Sequence, residues 1–168
     1  DTPAEKAFDD LTRLATYICQ TPMAAITLID SDRQWFKSKV NISDSETSRD
    51  VAFCAHAILD SGMFIVPDAR EDSRFKDNPF VTSDGNVRFY AGSPLTTAEG
   101  YKLGALCVID RVPRRLSDGQ LAALRALSRQ VTTQLELRRE IKELRTRLKE
   151  LEQSTGDKTK EYRISINP

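Results

Sequence analysis

Phe8, Leu11, Leu14, Ala15 and Ile18 recur at spacings of three and four, so one apolar stripe runs along a predicted helix over about residues 4–20. Thr2 is its expected N-cap, with Pro3 at the first helical position, Glu5 completing a capping box and Thr21-Pro22 ending the helix. Met23–Ile29 and Arg33–Val40 are strand-like runs joined by Asp30-Ser31-Asp32, which is turn chemistry and makes them a hairpin. Residues 41–50 are polar and loop-like, and Val51–Leu59 reads as a short buried helix. Met63–Val66 is a brief strand closed by Pro67, followed by a crossover over residues 68–86 that is rich in turn formers and anchored only by Phe75, Phe80 and Val81. Val87–Ala91 and Leu103–Ile109 form a second hairpin around Thr97-Ala98-Glu99-Gly100. Helix, two strands, helix, strand, crossover, two strands and a long helix describe an α+β fold, an antiparallel sheet with its helices segregated to one side.

The last pattern is the longest. Ser117 is the expected cap of a helix that continues without proline to about Glu152, at roughly 1.5 Å per residue longer than a domain body of this size. Leu121, Leu124, Leu127, Val131 and Leu135 make a broad face suited to a sheet or to the first helix. Leu137, Ile141, Leu144, Leu148 and Leu151 then alternate spacings of four and three, with Ile141 and Leu148 at a positions and the others at d. A seam this narrow calls for a second helix, and a parallel homodimer would pair Glu140 with Arg145 and Arg147 with Glu152 at g and e positions. The expected organisation is a globular domain over residues 1–136, a coiled coil over 137–153, and a linker, tag or start of another domain over 154–168. Gly156 is expected to break the helix before a strand-like Tyr162–Ile166.

Composition narrows the function. Lys plus Arg and Asp plus Glu are 25 each among 168 residues, so no broad field draws the chain to nucleic acid or an anionic membrane. No apolar run approaches the roughly 20 residues of a membrane span, and Asp1–Glu5 lacks signal-peptide character, which points to a soluble, cytoplasmic piece. Cys19, Cys54 and Cys107 are far apart in the chain and set among apolar residues, as buried free thiols are. One histidine, His56, is too few for a usual Cys/His zinc site, and no nucleotide-binding or hydrolase motif is present, so neither a metal, a cofactor nor a catalytic residue is expected.

Taken in order, FDDLTRLATYICQTP, ITLIDSDRQWFKS, RDVAFCAHAIL, VPDAREDSRFKDNPFV, RFYAGSPL and GYKLGALCVIDRVPRRLSDGQ resemble the GAF family of sensor domains over residues 4 to about 139. The resemblance implies a sheet of five or six antiparallel strands, helices on one face, and a ligand pocket on the other under loops and short helices. It also implies a signalling helix leading to an output domain of histidine kinase or diguanylate cyclase type. Phe53 and His56 on the short helix, Arg74 in the crossover, and Phe89 or Tyr90 on the following strand are the candidate ligand contacts. For Arg74 a local salt-bridge network with Asp68, Arg70, Asp72 and Asp77 competes with ligand binding. A ligand-free dimerisation spacer, with the pocket filled by Trp35, Phe53, Phe75 and Phe80, is the alternative. Cys54 and His56 are separated by Ala55 and lack the setting of a bilin attachment site. Cys54 falls where relatives reducing free methionine sulfoxide carry one cysteine, but residues 76–95 contain none, so no partner thiol is expected in reach.

Overall fold

The computed structural model describes residues 2–60, 62–83 and 86–165, with the side chains of the last helix described through Gln153. The elements are α1 (Lys6–Cys19), β1 (Met23–Ile29), β2 (Arg33–Val40), β3 (Glu46–Ser48), α2 (Phe53–Ala57), β4 (Phe64–Val66), α3 (Pro79–Thr82), β5 (Phe89–Thr96), β6 (Lys102–Asp110) and α4 (Asp118–Ser165). The strands form one sheet in the order β3-β2-β1-β6-β5-β4, each pair antiparallel. Placing β6 beside β1 closes the two predicted hairpins into a single surface.

Register divides the core. Ala25 lies opposite Cys107, Cys107 opposite Gly92, and Gly92 opposite Phe64, so these share one face with Ala105, Ile109 and Tyr90. Ala24, Ile26, Leu106, Val108 and Phe89 point to the other face and are fully buried. On that second face α1 buries Phe8, Thr12, Ala15 and Cys19, and Thr12 Oγ1 donates to Ser38 Oγ at 2.8 Å. The start of α4 joins it: Leu124 and Val131 are fully buried, Gln120 Nε2 donates to the Ile18 carbonyl at 3.0 Å, and Ser128 Oγ donates to the Pro94 carbonyl at 2.8 Å. The first face is covered by α2 and the crossover. The long helices therefore occupy one side, as expected, while short helices take the other.

Several local readings are corrected. Helix α1 begins at Lys6 with Glu5 as an N-cap that makes no side-chain capping bond, because residues 2–5 are engaged elsewhere. Lys37, 4% exposed, donates from Nζ to Thr2 Oγ1 and the Pro3 carbonyl, both at 2.7 Å, pairs with Glu5, and lies 5.1 Å from the Phe8 ring centroid. A buried ammonium outweighs a helix cap as a use for those oxygens. The polar stretch 41–50 contains the edge strand β3, held by Arg33–Glu46 pairing at 2.6 Å. The second predicted helix shrinks to α2 after a 3-10 turn over Arg49–Val51.

At the other end the expected cap is present: Ser117 Oγ accepts from the Gln120 amide at 3.3 Å, and Gln120 Oε1 accepts from the Ser117 amide at 2.9 Å. Helix α4 does not stop at Gly156 but continues through Tyr162 to Ser165, a single glycine costing only about 1 kcal/mol in a helix interior; Ile166 lies outside the described residues. The chain divides into two compact units, one ending at Thr132 and the other beginning at Thr133. In the second unit Leu137, Ile141, Leu144, Leu148 and Leu151 are 47–65% exposed. Among the described residues no helix is long and apolar enough to cross a membrane.

Candidate functional site

The face carrying Tyr90 and Cys107 holds a cavity of about 180 Å³. Its walls come from five places: Gln34 and Phe36 on β2, residues 41–44 and Thr47 beyond it, Ala52–Cys54 entering α2, Tyr90, Cys107 and Ile109 on the central strands, and Phe80 and Val87 from the crossover. Asn41, Ser43, Asp44 and Arg111 are exposed at its rim, whereas Tyr90, Cys54 and Cys107 are buried at its floor. Arg111 is positioned by Asp110, whose Oδ1 accepts the Arg111 and Val112 amides at 2.6 and 3.2 Å and whose Oδ2 pairs with Arg114.

One polar group in this wall lacks a partner. Gln34 is 5% exposed; its Nε2 donates to Thr47 Oγ1 at 3.1 Å, while Oε1 is buried with no hydrogen bond. Exchanging the amide ends would leave the nitrogen unpartnered instead, since Thr47 can serve either end. A buried, unmet hydrogen-bonding group costs about 1–3 kcal/mol, and Oε1 bears that cost packed within the wall and not facing the open space.

The floor is a sulfur site. Cys54 Sγ and Cys107 Sγ are 3.8 Å apart, and the Tyr90 hydroxyl donates to Cys54 Sγ at 3.2 Å. Burial raises the Cys54 thiol, but hydrogen bonds from Cys107, Thr27 and Tyr90 outweigh it and leave it below the ordinary thiol value. Cys107 is pushed well above that value by its bond to Cys54 and by burial. Of the two, Cys54 is thus the more readily deprotonated sulfur. The expectation that no second thiol lies within reach of Cys54 is overturned: sheet pairing delivers Cys107 from 53 residues away.

The candidate contacts separate. Tyr90 and Phe53 line the cavity, with Phe53 stacked on Phe75 at 4.0 Å and on Tyr90 at 5.3 Å. Phe89 points to the opposite face and is fully buried in the core, as alternation along a strand requires. His56 is half-buried outside the cavity, edge-on to Phe75 at 4.8 Å; burial, then the Arg74 charge, holds its pKa below the usual imidazole value. Arg74 is also outside. Its guanidinium lies 4.7 and 5.5 Å from the Phe64 and Phe75 ring centroids and meets Asp72 through two bonds at 2.8 and 2.6 Å. Asp68 repeats that arrangement with Arg70, at 3.0 and 2.7 Å, so the alternating charges form local Asp-x-Arg clasps, each arginine holding its aspartate below the usual carboxylate range. The cavity is not filled by the four aromatics: Trp35 pairs with Leu28 on the other face, Phe75 lies beneath α2, and Phe53 and Phe80 serve as walls. Gln34, Phe36, Cys107 and Arg111 were not among the expected site residues. The first was legible as a polar residue in phase with Phe36 on the inward side of RQWFKSKV.

A six-stranded antiparallel sheet with a lined cavity on one face and two long helices on the other is the architecture of a known class of domain. The chain matches the GAF domain over residues 3–135 and belongs to that family. It is 45% identical over 133 residues to a cyclic di-GMP phosphodiesterase of Pseudomonas aeruginosa, a match that takes 79% of this chain and 23% of that protein, so the chain spans about a quarter of its relative. Among solved structures it is similar to the GAF domain of an Acinetobacter phosphoenolpyruvate-protein phosphotransferase, with a TM-score of 0.65, 13% identity, and 82% and 84% of the two chains covered. It is also similar to a domain of a two-component sensor histidine kinase protein from Sinorhizobium meliloti, with a TM-score of 0.62, 14% identity, and coverage of 86% and 99%. At these identities the structural likeness speaks to fold.

Proposed function

We propose that this GAF domain is a non-catalytic sensor, binding a small, largely apolar molecule through the Gln34–Tyr90–Cys107 cavity and relaying its presence along α4. The carrying observation is the cavity itself, with an interior lined by Phe36, Phe53, Phe80 and Ile109 beneath a polar rim. It suits a molecule whose apolar body packs on Phe36, Phe53, Phe80 and Ile109 and whose polar end meets the rim at Asn41, Ser43, Asp44 and Arg111. Of the expected contacts, Phe53 and Tyr90 serve the ligand directly; His56 and Arg74 act through the Phe75 and Phe64 rings on which they pack.

Relay requires two arrangements of α4 that a ligand distinguishes by affinity. The exposed row of Leu137, Ile141, Leu144, Leu148 and Leu151 suits a parallel homodimeric coiled coil, and Glu140–Arg145 and Arg147–Glu152 favour that orientation. The output domain in cis is one of cyclic dinucleotide or histidine kinase type, a reading supported by the name of the Pseudomonas relative and by the kinase-derived fold neighbour. Native mass spectrometry of protein purified from its own host tests the whole reading: a dimer carrying a retained small molecule, lost from Gln34→Leu and Tyr90→Ala variants, is expected. A dimer bearing nothing, whose melting is unmoved by metabolite panels, would make the domain a dimerisation spacer instead.

A further inference from the structure

We propose that Cys54 and Cys107 are an oxidisable thiol pair, converted to an intramolecular disulfide by a small hydroperoxide that enters through the cavity. Three observations carry this, and none depends on a ligand occupying the site. The two sulfurs already approach to 3.8 Å across the α2–β6 contact. Both line a cavity whose rim is exposed, and about 180 Å³ far exceeds the roughly 30 Å³ that one water molecule takes up in the liquid, so hydrogen peroxide has room to reach them. The Tyr90 hydroxyl donates to Cys54 Sγ at 3.2 Å, at the sulfur assigned the first attack.

The chemistry balances with the peroxide as sole oxidant. Cys54 sulfur attacks one peroxide oxygen, the O–O bond breaks, and the departing hydroxide leaves as water with the proton originally on Cys54, giving a sulfenic acid. Cys107 sulfur then attacks Cys54 sulfur, the S–O bond breaks, and the hydroxyl leaves as a second water with the Cys107 proton. Two electrons pass from the two sulfurs to the peroxide. That Cys54 is shifted down and Cys107 up suits those successive roles. Closing the sulfurs to about 2.05 Å draws α2 toward β6 and removes the acceptor of the buried Tyr90 hydroxyl, so oxidation reshapes the cavity floor. Cys19 serves as an internal control: it is buried on α1 against the opposite face, and burial pushes it up to about 11.

The test exposes the reduced full chain to hydrogen peroxide, denatures it in an alkylating reagent and measures the intact mass. The expected product lacks two hydrogens, carries one alkyl group on Cys19, yields a 54–107 cross-linked peptide, and returns to three alkylated thiols after dithiothreitol. Cys107→Ser should accumulate a dimedone-reactive sulfenic acid at Cys54, and Tyr90→Phe should slow the oxidation several-fold through loss of the hydrogen bond to Cys54 Sγ. Three alkylated thiols, under conditions that oxidise free cysteine in the same buffer, overturn the proposal. So do a link between chains and modification of Cys19 ahead of Cys54. Because the wild-type mass decides alone, a variant that fails to fold does not shelter the idea.

Discussion

Gly104 is the position at which a single methyl group should do most harm. It lies in β6 opposite Leu28, and a Cβ placed there would meet the Thr27 carbonyl oxygen at 1.9 Å, its carbon at 2.8 Å and Leu28 Cα at 2.9 Å. All three are backbone atoms of β1, the strand hydrogen-bonded to β6 at the centre of the sheet, so no rotamer change relieves them. Restoring an ordinary contact requires the two central strands to separate locally by about 1.5 Å, which breaks ladder hydrogen bonds flanked by fully buried Ala105 and Leu106. Overpacking alone costs about 1–3 kcal/mol, and with backbone hydrogen bonds lost Gly104→Ala should destabilise by about 3 kcal/mol or more, a drop of roughly 10 °C in Tm. Gly92→Ala is the built-in comparison. Its Cβ would meet only the Tyr90 side chain, at 2.3 Å from the hydroxyl oxygen, and that ring borders the cavity and can turn into it. A cost of about 1–2 kcal/mol is expected there, together with loss of the Tyr90–Cys54 contact. Urea and thermal unfolding of the two variants decide the matter. Gly104→Ala within about 1 kcal/mol of wild type, or milder than Gly92→Ala, would refute the claim that β1 and β6 cannot part.

Other consequences are as direct. Glu5→Gln should lower stability by about 1–3 kcal/mol in denaturant melts, because it removes the carboxylate partner of buried Lys37 in a site shared with the Phe8 and Trp35 rings; Lys37→Met should cost less than Glu5→Gln if desolvation of the pair dominates. His56 has a folded-state pKa below its ordinary 6.5, so the unfolded chain binds the extra proton first: stability is fully present above pH 6.5 and declines as the pH falls toward the folded value, and His56→Gln should flatten melts between pH 7 and 5. The Asp68 and Asp72 clasps are protonated only at lower pH and leave that window clear. Ile141→Asp with Leu148→Asp should convert a dimer to monomer in sedimentation velocity without moving the melting of the globular unit; an unchanged dimer would place the interface elsewhere.

What the chain reveals by inspection is what local periodicity encodes. The helices α1 and α4, the Asp30–Asp32 and Thr97–Gly100 turns and the Ser117–Gln120 cap each reside within a few residues and are found in the structure, but the buried face of α1 is Phe8, Thr12, Ala15 and Cys19, which leaves Leu14 of the expected stripe exposed. Strand β3 escaped because it is a three-residue polar edge, paired on one side only and with nothing to bury. The N-terminal cap was misread because Lys37, thirty-odd residues away, recruits the same oxygens. For the site the difficulty is larger. A cavity is space that side chains from distant segments leave unfilled, so Phe53 and Tyr90 could be inferred from the elements that carry them, whereas the thiol pair and the Gln34 amide emerge only once β2, α2 and β6 are brought together. Arg74 illustrates the reverse. It looked free to reach an anion, but Asp72, two residues earlier, offers a bidentate partner at no cost in chain closure.

The two faces of the sheet also explain why space exists on one of them. Toward α1 and the start of α4 the central strands present Ile26, Leu106, Val108 and Phe89, large side chains that fill the layer. Toward α2 they present Ala25, Ala105, Gly92 and Cys107, which leave room that Phe53, Phe64, Phe75 and Tyr90 occupy on the β4 side and that Phe36, Phe80 and Ile109 border as the cavity on the β2 side. Strand β5 belongs to both layers: Tyr90 contacts the cavity, and four residues on, at about 3.3 Å per residue, the Pro94 carbonyl holds Ser128 of α4. A molecule or a disulfide that turns the Tyr90 ring therefore acts on the strand to which α4 is hydrogen-bonded. One that only fills the Phe36–Ile109 side presses on β2 and the central strands and bypasses that bond, which is why an effective signal should be sought at the Tyr90 end of the cavity.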